Sequence, residues 1–237
     1  MKNFFKIYFW QVVSILFNFG SVFIVTPFIS SNPAVFGIYS IVTAAYLFIS
    51  YADFGFLSAG MKYAAECYAQ KNLQEEIRVI GFAGMVFLLF VLIYSAVILG
   101  LSFDPGILVS SLTNPAEVSI ASNLLLILAL FCPVFVFQRI IQVIFGVRLQ
   151  DYKFQRVLIL SNLVKLLSAI YFFSSNRYLI VEYFLFSQVC TLSAVIIGLV
   201  LLKKELNYDL VFLFRSFKLS RALFQKTKKL AFTSIFL

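Results

Sequence analysis

An all-α, polytopic membrane protein with six transmembrane helices is the fold class the sequence predicts, and three observations carry that expectation. The chain of 237 residues is 62% hydrophobic and only 12% charged, whereas a soluble domain averages about half apolar and a quarter charged. Its apolar residues fall in runs long enough to cross a bilayer, which takes about 20 residues per helix. Those runs are continuous rather than alternating, so the 30 Phe and 12 Tyr do not describe a barrel with a polar lumen.

The elements follow in order. The first span, Phe4–Ile29, is too long for a signal-peptide core and lacks a small-residue cleavage site, so it reads as uncleaved. The second is Val35–Phe54. The segment Leu57–Gln70 then reads as an amphipathic helix with Ser58, Lys62, Glu66 and Gln70 along its polar edge. An i,i+4 pair between Lys62 and Glu66 there is worth only tenths of a kcal/mol. The segment is either a gate element at the mouth of the bundle or a plain interfacial helix. The third span is Val79–Leu101 and the fourth Val118–Phe137, in which Pro133 is expected to introduce a kink. The fifth is Val157–Phe173 and the sixth Leu179–Leu202. Residues 1–202 thus form one six-helix transmembrane lobe, residues 203–229 a basic linker, and residues 230–237 the start of a seventh apolar run. Within the linker, Phe212, Phe214, Phe217 and Phe224 interleave with Arg215, Lys218 and Arg221. That pattern fits a helix lying on anionic lipid, or an ordinary basic loop.

Every Lys and Arg except Lys165 and Arg177 falls on one side of this six-span arrangement. Positive residues stay cytoplasmic, so both the N-terminus and the linker are expected in the cytoplasm. The same placement accounts for the formal charge of +9 without a nucleic-acid partner. There is no histidine. Cys67, Cys132 and Cys190 lie in or beside apolar runs with no metal-site or disulfide spacing, and read as small buried hydrophobes. No Gly-rich phosphate loop, metal-ligand cluster or nucleophile–base pair is present, so no cofactor or metal is expected and the chain does not read as an enzyme.

Polar residues inside the spans recur at helical spacing. Gln11, Ser14, Asn18 and Ser21 share a face of the first span, Thr43, Tyr46, Ser50 and Asp53 a face of the second, and Ser161, Asn162, Lys165 and Ser168 a face of the fifth. Lipid cannot satisfy such groups, so these faces should turn toward neighbouring helices or a wet cavity. Lys165 lies near the middle of its run, roughly 12 Å from either end at 1.5 Å per residue. A charge at that depth costs at least ~2.5–3.5 kcal/mol on insertion scales. It is a ligand-binding cation, a member of an ion pair with Glu182 or Asp53, or a snorkelling stem. Asp53 stands at the basic end of the second span, where capping, pairing with Lys62 and ion binding are all open to it. Glu182 stands near the opposite end of the sixth span, where interfacial solvation and ion binding are the alternatives.

"TPFISSNPAVFGIYSI" (Thr26–Ile41) followed by "YADFGFLSAGMKYAAECYA" resembles the N-terminal region of bacterial polysaccharide flippases, the O-antigen (Wzx-like) branch of the multidrug/oligosaccharidyl-lipid/polysaccharide exporter superfamily. Pro27 stands where the family's first span ends, and Phe36-Gly37-Ile38-Tyr39 where its second begins. Asp53, Gly55, Lys62 and Glu66 match the family's D-hydrophobic-G element and the charged pair after it, and Lys228–Leu237 resembles the start of its seventh span. The resemblance implies the N-terminal half of a two-lobe, MATE/flippase-like transporter of twelve or more helices, in the bacterial inner (plasma) membrane. It further implies translocation of a polyprenyl-diphosphate-linked oligosaccharide, an O-antigen or capsule repeat unit, by alternating access coupled to an ion gradient. Lys165 is then the candidate diphosphate partner, with Asn162, Asn18 and Tyr46 as glycan contacts and Asp53, Glu182, Lys62 and Glu66 as ion-coupling or gate residues. Its partners would be the lipid-linked oligosaccharide, membrane lipids and polysaccharide assembly proteins. Three alternatives stand beside this reading: a multidrug or cation exporter of the same superfamily, a membrane-embedded glycan polymerase or ligase, and a truncated, non-transporting half.

Overall fold

The structure, a computed structural model, describes residues 2–30, 32–49, 55–109, 114–173 and 179–235. Every regular element among them is helical: α1 (Lys2–Ile29), α2 (Pro33–Ile49), α3 (Phe56–Ala69), α4 (Leu73–Phe103), α5 (Pro115–Val147), α6 (Asp151–Phe173), α7 (Ile180–Leu206), α8 (Leu210–Arg215) and α9 (Arg221–Ile235), with a 3-10 turn at Pro105–Ile107. Helices α4, α5, α6 and α7 are each long and apolar enough to cross a membrane. That makes this a helical membrane protein. Shorter apolar stretches, Phe5–Phe17 and Val35–Ile49, lie in α1 and α2, so length and apolarity meet the six-span expectation for four of the six.

Helix ends follow local chemistry. Asn72 caps α4 by accepting from the Glu75 amide at 3.2 Å, with Glu75 and Glu76 in the first turn where the helix dipole favours anions. Asn114 caps α5 by accepting from the Ala116 amide at 3.0 Å, and Pro115 fills the first position, where no amide is missed. Asn207 closes α7 in the left-handed conformation (φ 51°) after Lys203 and Lys204 in the last turn. Gly55 has φ 75° at the start of α3, a conformation that a side chain would strain.

Helix α5 outruns the expected fourth span. Polar Gln138 and Arg139 interrupt the apolar run, but Ile140, Ile141, Ile144, Phe145 and Val147 beyond them are buried, so the same face keeps packing and the helix continues to Val147. Arg139 therefore lies on a helix, and the expected loop shrinks to a tight turn at residues 148–150, where Leu149 has φ 53°. Pro133 lies inside α5, which is assigned as one helix.

Helices α4 and α5 form the centre of the core, around Phe87, Leu124, Leu128 and Ile141. In lipid, helices associate through close packing and hydrogen bonds rather than a hydrophobic drive, and both occur. Ser95 Oγ donates to the Ala129 carbonyl at 2.7 Å, Ser122 Oγ to the Ser102 carbonyl at 2.6 Å, and Tyr94 Oη to the Ala45 carbonyl at 2.9 Å. At Gly198 on α7 a Cβ would meet Phe154 Cε2 at 2.5 Å and Ile141 Cδ1 at 3.0 Å, so only glycine lets α7 approach α5 and α6 this closely.

At one end of the bundle, charged side chains at or beside helix ends tie the helices together. Arg148 at the end of α5 grips Glu76 of α4, Nη1 to Oε1 at 2.7 Å and Nη2 to Oε2 at 3.0 Å. Lys153 of α6 pairs with Glu205 of α7. Arg156 lies over the Trp10 ring at 4.9 Å, joining α6 to α1. At the opposite end an apolar cluster of Val25, Ile29, Val35, Ala169, Ile180 and Tyr183 joins α1, α2, α6 and α7.

The linker is built into this basic end. Tyr208 and Leu213 are buried, and a Cβ at Gly81 of α4 would fall 2.7 Å from Ser216, just after α8. Helix α9 runs unbroken across the expected boundary between residues 229 and 230. It lies on α3, with Phe224 stacked on Phe56 at 5.7 Å and Tyr63 Oη donating to the Lys226 carbonyl at 3.1 Å.

Candidate functional site

Residues from each of the three polar stripes read from the sequence line one cavity of about 590 Å³, although Gln11 of the first stripe is exposed and Ser168 of the third is not among the lining residues. Helix α1 brings Ser14, α2 brings Thr43 and Tyr46, and α6 brings Ser161, Asn162 and Lys165. Helix α5 adds Gln138, Arg139 and Gln142; α7 adds Tyr183, Ser187, Gln188 and Thr191. On α2, α5, α6 and α7 the lining positions recur every three or four residues, as one face of a helix must. Lys165 is the central charge. Its Nζ donates to Thr191 Oγ1 at 2.8 Å, and Thr191 Oγ1 in turn donates to the Ser187 carbonyl at 3.1 Å. Among the described residues no carboxylate pairs with Lys165, and none lines the cavity.

Of the proposed ligand contacts, Lys165, Asn162 and Tyr46 therefore share one cavity, with the Tyr46 ring edge-on to Phe135 at 5.2 Å. Asn18 lies on α1, and its side chain is outside the described residues. Asp53 is outside them altogether. Glu182 is exposed in the first turn of α7 and is not the partner of Lys165. Its neighbour Tyr183 faces the cavity, and one residue of helix turns the next side chain away by about 100°. Lys62 and Glu66 are both exposed on α3, and among the described ion pairs they do not pair with each other. So exposed a pair gains little from holding two long side chains together.

Arg139 is the functional candidate that sequence reasoning missed. Hydropathy placed it in a loop; the structure places it on the cavity wall, its Nη1 donating to Gln142 Oε1 at 3.1 Å. The signal was present in the spacing: Phe135, Arg139 and Gln142 continue one face of α5. A second chamber of about 310 Å³ adjoins the first near the basic end, bordered by Ser58 and Met61 of α3 and Asp151 of α6. Arg139, Gln142 and Gln155 line both chambers. These three side chains stand between the chamber near the basic end and the cavity at Lys165, and Gln155 and Lys165 are about 15 Å apart along α6.

Chemically the cavity offers two cations, several amides and hydroxyls, and the aromatic faces of Tyr46, Phe135 and Tyr183. Ammonium and guanidinium groups donate charge-assisted hydrogen bonds to phosphate or carboxylate oxygens, while neutral donors, acceptors and aromatic walls suit a polyhydroxylated ligand. Among the described residues, no group of three His, Cys, Asp or Glu side chains is placed to hold a metal ion. No family model, curated protein or solved structure matches the chain.

Proposed function

We propose that this chain is the substrate-binding lobe of a flippase that moves a polyprenyl-diphosphate-linked oligosaccharide across the bacterial inner membrane, with α1 and α2 as further spans beside α4–α7 and the basic end in the cytoplasm. The observation that carries this reading is the cavity whose charged lining groups are Lys165 and Arg139, with no carboxylate among the described residues. A lipid-linked diphosphate needs cations for its head group, hydroxyls and amides for its sugars, and lipid for its tail. The cavity and the exposed apolar flanks of the bundle supply these three environments. A buried lysine is stabilised by an anion in the cavity, which offsets the desolvation cost of its position. An exporter of lipophilic cations would instead place acids around its cargo, so the cation-lined cavity disfavours that alternative.

The test is surface glycan in cells carrying the full-length protein with Lys165→Ala, Lys165→Arg or Thr191→Val, each normalised to its membrane abundance. Lys165→Ala is expected to reduce export more than tenfold. Lys165→Arg should keep most of it, and Thr191→Val should lose severalfold because the ammonium loses its one described side-chain partner. Undiminished surface glycan in Lys165→Ala would overturn the reading.

A further inference from the structure

Asp151, the first residue of α6, is the one carboxylate lining either chamber among the described residues. Its Oδ1 is buried and, among the described residues, has no hydrogen-bond partner. The atom is wedged over Gly146, where an added Cβ would come within 3.1 Å of it and 2.6 Å of Met61 Cε. Charged and titratable groups surround it without reaching it. On α5, Arg148 is bound to Glu76 and Arg139 contacts Gln142. On α7, Glu205 holds Lys153. From α1, Lys6 lies over the Tyr152 ring at 5.4 Å, while Arg156 of α6 lies over Trp10. Helix α3 turns Ser58 and Met61 toward the chamber, and its Lys62 is exposed. None of these cations forms an ion pair with Asp151 among the described residues.

A carboxylate oxygen buried without a donor is costly while it is charged. The cost disappears when the carboxylate takes a proton, and water in the chamber can deliver one. Asp151 also shares this chamber with Arg139, which lines the larger cavity as well. An anion held at Arg139 therefore repels the Asp151 carboxylate and favours its neutral form.

We propose that Asp151 is a proton-binding site coupled to anion occupancy of the adjoining cavity; the proposal rests on reading that cavity as an anion site. A proton from the chamber binds the carboxylate as the anion enters and returns to the chamber as the anion leaves. Linkage makes the effect reciprocal: protonation of Asp151 tightens the anion by the same factor by which the anion tightens the proton. Across about 10 Å at an effective dielectric constant of about 20, the coupling amounts to about one pH unit per unit of ligand charge.

The experiment uses the full-length protein in nanodiscs, with inorganic pyrophosphate as the probe. Infrared difference spectra across pH, wild type minus Asp151→Asn, isolate the Asp151 carboxyl band and its midpoint with and without pyrophosphate. Calorimetry in two buffers of different ionisation enthalpy counts the protons taken up on binding. The expected result is a midpoint that rises by about one unit or more when pyrophosphate binds, with net proton uptake. Asp151→Asn should bind pyrophosphate without that uptake, and Asp151→Glu should restore it. Pyrophosphate bound by wild type with no change in the Asp151 midpoint would overturn the coupling and leave the anion cavity standing. Pyrophosphate that fails to bind wild type, or that binds equally well after Lys165→Ala, would overturn the anion cavity, and the coupling with it.

Discussion

Arg148 ties α5 to α3, to α4 and to the segment after α7. It grips Glu76 with both guanidinium nitrogens, donates from Nη1 to the Ile144 carbonyl at 3.1 Å, and stacks near Tyr68 at 4.8 Å and Tyr208 at 5.1 Å. Glu76 is fully buried, and the Arg148 side chain is 6% exposed. The Tyr208 hydroxyl is buried with no hydrogen-bond partner among the described residues, and burial raises it above the ordinary phenol range, with the Glu76 carboxylate adding to the shift. Removing one member of a buried pair strands the other charge, which costs about 3–5 kcal/mol, whereas replacing both by apolar groups costs far less. Arg148→Met is therefore expected to destabilise the protein strongly, and the double variant Arg148→Met/Glu76→Leu to recover most of the loss, as read from thermal unfolding in detergent. Equal destabilisation by the two would show that the ion pair is not what holds these helices. Lys165 was legible in the sequence because a lone charge inside an apolar run stands out. The pairing of Arg148 with Glu76 was not, because the partners are 72 residues apart and each reads locally as an ordinary helix-end charge.

At the scale of the element, the close approach of α7 to α5 and α6 depends on Gly198. Its neighbour Phe154 is buried and stacked on Phe145 at 6.2 Å, so that ring has little room to yield. Gly198→Ala is expected to destabilise by about 1–3 kcal/mol through overpacking. Gly100, with nothing within 4 Å of an added Cβ on α4, is the control: Gly100→Ala should be neutral or gain up to about 1 kcal/mol from helix propensity. Thermal unfolding separates the two, and a loss at Gly100 as large as that at Gly198 would remove the packing explanation. The amphipathic segment after the second span was legible, since Phe56, Leu57, Ala59, Gly60, Ala64 and Cys67 form the buried face of α3 with the polar edge outward. The extension of α5 was less so. Hydropathy averages over all faces of a helix, and a polar pair facing a cavity looks the same as the end of a span. Helix α9 hid for a related reason: an apolar tail after a basic stretch suggests two pieces, whereas the structure has one helix from Arg221 to Ile235.

For the whole molecule, composition alone indicated a helical membrane protein, and the four long helices agree. The position of the cavity was only half written in the sequence. The stripes on α1, α2 and α6 pointed inward, but the glutamines of α5 and the hydroxyls of α7 belong to the site through packing that no local pattern states. The basic end, with Arg148, Lys153, Arg156, Lys203 and Lys204 on its helix ends, is expected to face the cytoplasm by the positive-inside rule. Single cysteines at Asp104 and at Ser220, in a background lacking Cys67, Cys132 and Cys190, check this. An impermeant maleimide added to intact cells should label position 104 and spare position 220, and the reverse pattern would invert the topology.

The larger chamber also has an electrical consequence. At about 30 Å³ per molecule, 590 Å³ holds on the order of twenty waters. On the proposed reading, in which the ligand enters through both chambers, water in them carries the potential of the basic-end compartment as far as Lys165. The membrane voltage then drops mainly across the remaining stretch, roughly 12 Å along α6, instead of the full ~30 Å of hydrocarbon. The field there is more than twice that of a uniform slab. On the proposed flippase reading, an anionic ligand moving from the basic end to Lys165 crosses almost none of the voltage, and the onward leg carries nearly all of it, about 2.3 kcal/mol per elementary charge per 100 mV.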